Sequence, residues 1–372
     1  MEQIVTLIVG FVMASLLGKF FIPGILLVAY KKSLFDLPDA RKVHTSPIPR
    51  LGGVTFFPVI LFVTSIISLF LFCYCDYGNR FFSSHIISEI LGLIPGLTLL
   101  YVIGIGDDLL GVRYSRKFLI QIISALLIPV AGLWINNFYG LFGIGEIPNF
   151  IGIPFTVLLT VFVTNAFNLI DGIDGLASGL SIVAFSMFGV TFAIEGLWMY
   201  SLLSFICVGV LVPFFCYNVF GDVKKHHKIF MGDTGSLTLG FILSLMAIKY
   251  SMYNGEADQS VDGAPLMTAF SMLLVPCLDV LRVVMGRLRR KAHPFKPDRT
   301  HLHHKFLLMG LKPRTSMMLI LLMAVAYIVF TYALINVGIP ANVVFILVLM
   351  IWIISNIWFT IVIRKRGKKE LC

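Results

Sequence analysis

The stretch MEQIVTLIVGFVMASLLGKFFIPGILLVAY opens a chain in which apolar runs of bilayer-spanning length keep returning. A helix needs ~20 such residues to cross the hydrocarbon core. Scanning at that length gives eleven stretches: 4–30, 53–75, 87–106, 118–134, 152–170, 176–194, 198–216, 234–250, 264–285, 317–337 and 341–363. Lipid offers no water to unpaired backbone groups, so spanning segments of this kind are helical. The expected fold is all-α, a polytopic membrane protein of about 11 transmembrane helices forming one domain over 1–372. With 58% apolar and only 13% charged residues, an ordinary soluble domain is excluded. The opening run starts acidic and is too long for a cleaved signal peptide, so it counts as the first span.

The cations orient these spans. Of 29 Lys and Arg, 25 fall in segments 31–52, 107–117, 217–233, 286–316 and after 363, against Arg80 alone in a loop on the other side. The positive-inside rule then puts the N-terminus outside and the C-terminus in the cytoplasm. Much of the net charge of +10 is explained by this asymmetry, so it calls for no nucleic acid partner. Six scattered cysteines, with Cys73 and Cys75 the only close pair, fit apolar packing better than metal or disulfides.

The loops assigned to the cytoplasm carry the polar motifs. KKSLFDLPDARKVHTSPIPRLGG is a basic loop with three prolines, and its Gly52-Gly53 pair would let backbone approach a ligand. GIGDDLLGVRYSRK places Asp107 and Asp108 where a span ends. Adjacent carboxylates repel unless a cation or a phosphate-bound metal lies between them, and at a helix C-terminus they run against the dipole, which favours a functional role. Arg113, Arg116 and Lys117 follow, suited to an anionic headgroup. In NAFNLIDGIDGLASG, Asn165, Asn168, Asp171 and Asp174 step by threes, and on a continuing helix they would drift along one face. A polar turn capped by Asp explains one of these four groups. In MGDTGSL, Asp233 sits between glycines at the start of a span, as an N-cap or as a ligand to metal.

The longest of these loops, 286–316, contains RRKAHPFKPDRTHLHHKF. His301, His303 and His304 suggest zinc, but Lys296, Arg299 and Lys305 beside them suit phosphates better. Asp279 and Arg282, inside the preceding span, are spaced to pair at i,i+3. Clustered carboxylates that must coexist point to a hard divalent cation, Mg²⁺ with Mn²⁺ as the alternative ion, which takes one or two carboxylates plus substrate phosphates. Phosphoryl transfer between a diphosphate donor and a lipid phosphate fits both the acidic and the basic halves. The main alternative is a membrane transporter of an anionic or nucleotide-sugar substrate, which would show inverted repeats and polar breaks near mid-bilayer.

NAFNLIDGIDGLASG, the Asp107-Asp108 pair, MGDTGSL and HPFKPDRTHLHH together resemble the polyprenyl-phosphate N-acetylhexosamine-1-phosphate transferases of glycosyltransferase family 4, relatives of the phospho-MurNAc-pentapeptide translocase. The resemblance runs from about Asp36 to about Lys305 and implies a single catalytic domain. It points to the branch that initiates O-antigen, common antigen or teichoic acid linkage units. The implied reaction joins HexNAc-1-phosphate, with GlcNAc the first expectation, to undecaprenyl phosphate, releasing UMP. It also implies a bacterial inner-membrane location, Mg²⁺, and as partners a UDP-HexNAc, undecaprenyl phosphate, membrane lipids and, as an option, a second copy in a homodimer. By motif, Asp233 is the implied metal ligand with Asn168 nearby. Asp107 and Asp108 meet the lipid phosphate, Asp171 and Asp174 shape the nucleotide-sugar pocket, and His301 serves the chemistry. Asn165, Lys117, His303, His304, Arg299 and Arg50 contact substrate, with Arg41, Lys42 and His44 matching the first loop. The stretch YNVFGDVKKHHKIFMGD departs from the family in lacking a proline before the GD motif.

Overall fold

The computed structural model describes residues 1–36, 47–252, 263–293 and 300–369, without the side chains of 76, 77 and 366–369. Helix α1 (Glu2–Lys31) leads into two short antiparallel strands, β1 (Phe35–Asp36) and β2 (Ile48–Pro49), paired Phe35 to Pro49 and Asp36 to Ile48. A 3-10 turn at Gly52–Thr55 starts α2 (Phe56–Tyr74). Then come α3 (Ser84–Leu110), α4 (Tyr114–Val130), α5 (Asn149–Ile170), α6 (Leu176–Ile194) and α7 (Trp198–Phe220). The chain ends with α8 (Gly232–Ser251), α9 (Ala264–Arg289), the short α10 (Leu302–Leu308), α11 (Pro313–Asn336) and α12 (Ala341–Lys369).

Eleven of these helices lie on the eleven apolar stretches. Among the described residues, nine are long and apolar enough to cross a membrane. The two that are not, α4 with 17 residues and α8 with 20, have different reasons. α4 is short. α8 is the hub of the bundle, packed against α3, α5, α9, α6 and α2, and every residue from Thr234 to Ile248 is buried. A helix with no lipid-facing side can carry Thr, Ser and Gly in place of the apolar stripe. Close backbone crossings follow from that composition. Gly104 of α3 lies against Thr234, and Gly240 of α8 against Thr164 of α5.

Gly53 also packs against α8, with its backbone meeting Gly235. The close approach that the missing side chains of Gly52 and Gly53 allow is to the protein's own backbone. Hydrogen bonds reinforce it. Gly52 N donates to Phe230 O (2.9 Å), Gly53 N to Met231 O (2.8 Å) and Phe230 N to Pro49 O (2.8 Å). The segment carrying Arg50 is thereby clipped to the residues that lead into α8.

Candidate active site

The helices alternate in direction, so the ends of α3, α5, α7 and α9 meet the starts of α4, α6 and α8 at one end of the bundle. At its centre the free N–H groups of α8 find a carboxylate from another helix. Asp108, on the last turn of α3, accepts from Asp233 N (2.7 Å), Thr234 N (3.0 Å) and Thr234 Oγ1 (2.6 Å), and its side chain is fully buried. A helix N-terminus favours an anion in this position. Asp233 is not the N-cap: Met231 takes that position, and Asp108 supplies the acceptor. Gly232, at φ +73, makes the arrangement possible, because a Cβ there would collide with Arg50 O and the Asp108 carboxylate.

Asp107 turns to the other side of α3. Its Oδ1 accepts from Val112 N (2.6 Å), while Oδ2 faces Lys117 Nζ (3.4 Å). The same ammonium bonds Asp233 Oδ2, so Lys117 bridges carboxylates from α3 and α8. Asp233 Oδ1 accepts from Arg50 Nη2 (3.3 Å) and Asn168 Nδ2 (3.1 Å), and Arg50 lies 3.6 Å from Asp108 Oδ1. Asn168 also donates to Ser236 Oγ (2.9 Å), tying the end of α5 to α8. Two carboxylates, two cations and an amide from five separate segments thus meet at one point.

Asn165 sits one turn further into α5 and exchanges amide hydrogen bonds with Gln121 of α4 (2.7 and 3.3 Å). Gln121 lies one turn beyond Lys117 on the same helix, so a polar residue at i+4 inside an apolar span was a signal for it that the motif reading passed over. The helix ends where the apolar stretch ends, at 170, before Asp171 and Asp174 are reached. α5 stops at Ile170, Asp171 takes the C-cap position, and Gly175, at φ +77, rather than an Asp caps α6. Four groups in steps of three therefore do not share a face: Asn165 and Asn168 do, while the two Asp residues lie on a loop.

That loop is held by residues the sequence did not single out. Lys228 Nζ donates to Asp174 Oδ2 (2.5 Å), Gly175 N to Asn218 Oδ1 (2.6 Å), and Asn218 Nδ2 to Ile229 O (2.8 Å). Lys228 is the last cation of VKKHHK, and nothing local distinguishes it from Lys224 and Lys225. Desolvation among the surrounding helix ends raises the Asp171 carboxyl above its ordinary value, with Asp233 and Asp174 adding repulsion and Arg50 opposing it.

The histidine loop reaches the same rim. His303 is buried against Gly172, where a Cβ would strike its imidazole. His301 and His303 stack with ring centroids 5.9 Å apart, and His304 lies 4.1 Å from His303. Both His303 nitrogens lack a hydrogen-bond partner. Burial pushes this imidazole down to about 3, aided by His304, so it is neutral near pH 7. Asp279 and Arg282 form the expected i,i+3 pair at 2.6 Å, and Asp279 also meets His301 Nδ1 at 2.9 Å. Arg299, Arg41, Lys42, His44 and Lys296 lie outside the described residues.

Among the described residues, no three or more His, Cys, Asp and Glu side chains are grouped to enclose a metal. Asp107 and Asp233 are instead two oxygen donors facing a common cation, with Asn168 beside them, a set that suits a hard divalent ion completing its shell with water and phosphate oxygens.

A family model described as glycosyl transferase family 4 matches residues 90–251, the part of the chain that holds Asp107, Lys117, Asn168 and Asp233. The chain is similar over most of its length to a "probable undecaprenyl-phosphate N-acetylglucosaminyl 1-phosphate transferase" of Bacillus subtilis (strain 168). The two are 30% identical over 361 residues, which is 96% of this chain and 93% of that protein. It is also similar to the undecaprenyl-phosphate alpha-N-acetylglucosaminyl 1-phosphate transferases of Yersinia pestis, 30% identical over 302 residues (80% and 76% of the two chains), and Escherichia coli (strain K12), 29% identical over 302 residues (80% and 75%). The Bacillus relative extends past the matched core to Arg50 and the histidine loop on either side, so the whole bundle and not only its centre is shared, and the chain belongs to glycosyl transferase family 4.

Proposed function

We propose that this protein is a phosphotransferase of the bacterial inner membrane that moves N-acetylglucosamine 1-phosphate from UDP-GlcNAc to undecaprenyl phosphate, giving undecaprenyl-diphosphate-GlcNAc and UMP. The cation asymmetry of the loops supports a site on the cytoplasmic side. The observation that carries the reading is the Asp107–Lys117–Asp233 bridge with Arg50 at the bundle's end. Opposed charges of this kind receive phosphates and their counter-cation together, where a water-soluble donor and a lipid acceptor both have access. A carrier would need such groups at mid-membrane.

In the reaction an oxygen of the lipid phosphate attacks the donor phosphorus next to the sugar, and the bond to the bridging oxygen breaks, so that UMP leaves with that oxygen. A phosphate monoester has its second pKa near ~6, so the acceptor is mostly dianionic at neutral pH and no side chain has to remove a proton first. Asp107 and Asp233, beside Asn168, would hold Mg²⁺, which would supply neutralisation of the diphosphate charge. Lys117 and Arg50 bring positive charge to the phosphates. Asp108 holds the start of α8, and through it Asp233, in place. Asp171 and Asp174, on their own loop, border the donor's sugar and nucleotide, and the histidine loop closes the same edge.

Purified protein incubated with radiolabelled UDP-GlcNAc, undecaprenyl phosphate and Mg²⁺ tests this directly. Lipid-linked label and an equal amount of UMP are expected. No UMP and no labelled lipid from any UDP-HexNAc would end the proposal.

A further inference from the structure

On the inner flank of the histidine loop, Asp279 is fully buried in α9 and yet carries three donors. Arg282 Nη2 donates to its Oδ1 at 2.6 Å. Leu302 N, the first residue of α10, donates to Oδ1 at 3.0 Å and Oδ2 at 3.2 Å. The third partner is His301 Nδ1, 2.9 Å from Oδ2. An ionised carboxylate only accepts, so Nδ1 of His301 carries the hydrogen and Nε2 is left as the basic nitrogen. Arg282 additionally donates to Thr300 O at 2.6 Å, gripping the residue just before His301. The imidazole is thus fixed in tautomer by Asp279 and in position by two neighbours along the backbone.

Carboxylate partners of this sort orient imidazoles wherever the second nitrogen has work to do. We infer that Asp279 is a positioning residue for transfer: it holds His301 as the Nδ1–H tautomer with Nε2 directed to the substrate phosphates. The inference rests on the transferase reading above. A carboxylate serving only to cap α10 and pair with Arg282 would need no imidazole, whereas here Oδ2, the oxygen Arg282 leaves, takes His301 Nδ1 at a shorter distance than Leu302 N.

Asp279→Asn separates the two roles, because its amide oxygen can keep the bonds from Leu302 and Arg282 while its nitrogen no longer accepts from Nδ1. The expected result is a kcat about 10- to 100-fold lower. KM for UDP-GlcNAc should stay within about twofold, as for an interaction made in the transition state. The melting midpoint should hold, and the Asp279→Asn/His301→Ala pair should be no slower than His301→Ala alone. Wild-type turnover by Asp279→Asn, or losses that multiply in the double variant, would overturn the inference. Should Asp279→Asn fail to fold, ¹⁵N-histidine spectra of the wild-type protein decide it. The His301 signal, assigned by its loss in His301→Gln, should be that of the Nδ1–H tautomer, and the Nε2–H tautomer would refute it. Because that spectrum needs no turnover, a failure of this inference is distinguishable from an absence of transferase activity.

Discussion

Asp108 takes both the hydroxyl and the amide hydrogen of Thr234, at 2.6 and 3.0 Å, across 126 positions of sequence. Its neighbour Asp107 makes no such contact and faces Lys117 instead. Two adjacent carboxylates therefore divide between building the site and facing what enters it. Removing a buried acceptor leaves its donors without partners, at about 1–3 kcal/mol for each group. Asp108→Ala is expected to lower the melting midpoint of the purified protein sharply and to lose activity with it. Asp107→Asn should keep the midpoint and lose turnover about 10²-fold or more. The opposite pattern would reverse the assignment.

Asp233 collects Lys117, Arg50 and Asn168, so it is the group whose charge organises the others. Asp233→Asn should reduce turnover by about 10³-fold while the protein still purifies as a folded species. EDTA should silence the wild-type enzyme, with Mg²⁺ restoring it and Mn²⁺ doing so in part. Labelled lipid product formed at an undiminished rate in EDTA would dismiss the cation.

Gly172 and His303 meet so closely that a methyl group cannot be placed between them. Gly172→Ala should displace the histidine loop and cut kcat/KM by about 10-fold or more. Gly286→Ala, where a Cβ meets nothing, is the control and should behave as wild type. Because the collision is with one side chain, His303→Ala should relieve it. A double variant much slower than His303→Ala would show that the clash is not the cause.

His303 is kept neutral first by burial, then by His304, His301 and Arg282, with Asp279 opposing them. Its folded value lies at about 3, against ~6.5 for an unfolded imidazole. Between the two, only the unfolded chain binds the proton, so stability is complete above ~6.5 and declines as the pH falls toward the lower value. The melting midpoint should drop between about pH 7 and about pH 5, and His303→Gln should flatten that drop. Parallel curves for the two proteins would exclude His303 as the source.

Much of this was legible in the chain. Apolar length announced the helices, and Asp107, Asn168 and Asp233 were visible because carboxylates and amides stand out where apolar spans begin and end. What pairs with what was not. Asp108 reaches Asp233 N across 125 positions, Asn165 reaches Gln121 across 44, and Asp279 reaches His301 across 22. Such contacts depend on how helices are rotated and slid against each other, which local periodicity does not encode. The turn after Ile170 was legible in the apolar stretches, which stop at 170 and resume at 176, but the residues that hold it were not. Lys228 and Asn218 bond Asp174 and Gly175 from a distant segment, and nothing in the local pattern names them.

α8 has a further consequence, for how such a chain is made. It carries a charge at either end, Asp233 and Lys249, and has protein on every side from Thr234 to Ile248. Protein, not lipid, is its solvent. Released sideways into a bilayer by itself it would strand its hydroxyls and its lysine in hydrocarbon. The groups that receive it are already synthesised: Glu89 of α3 meets Lys249 at 2.8 Å, and α5 presents Thr164 to Gly240. Insertion of α8 is therefore an assembly step, begun against helices that emerged from the ribosome before it and completed when α9 follows.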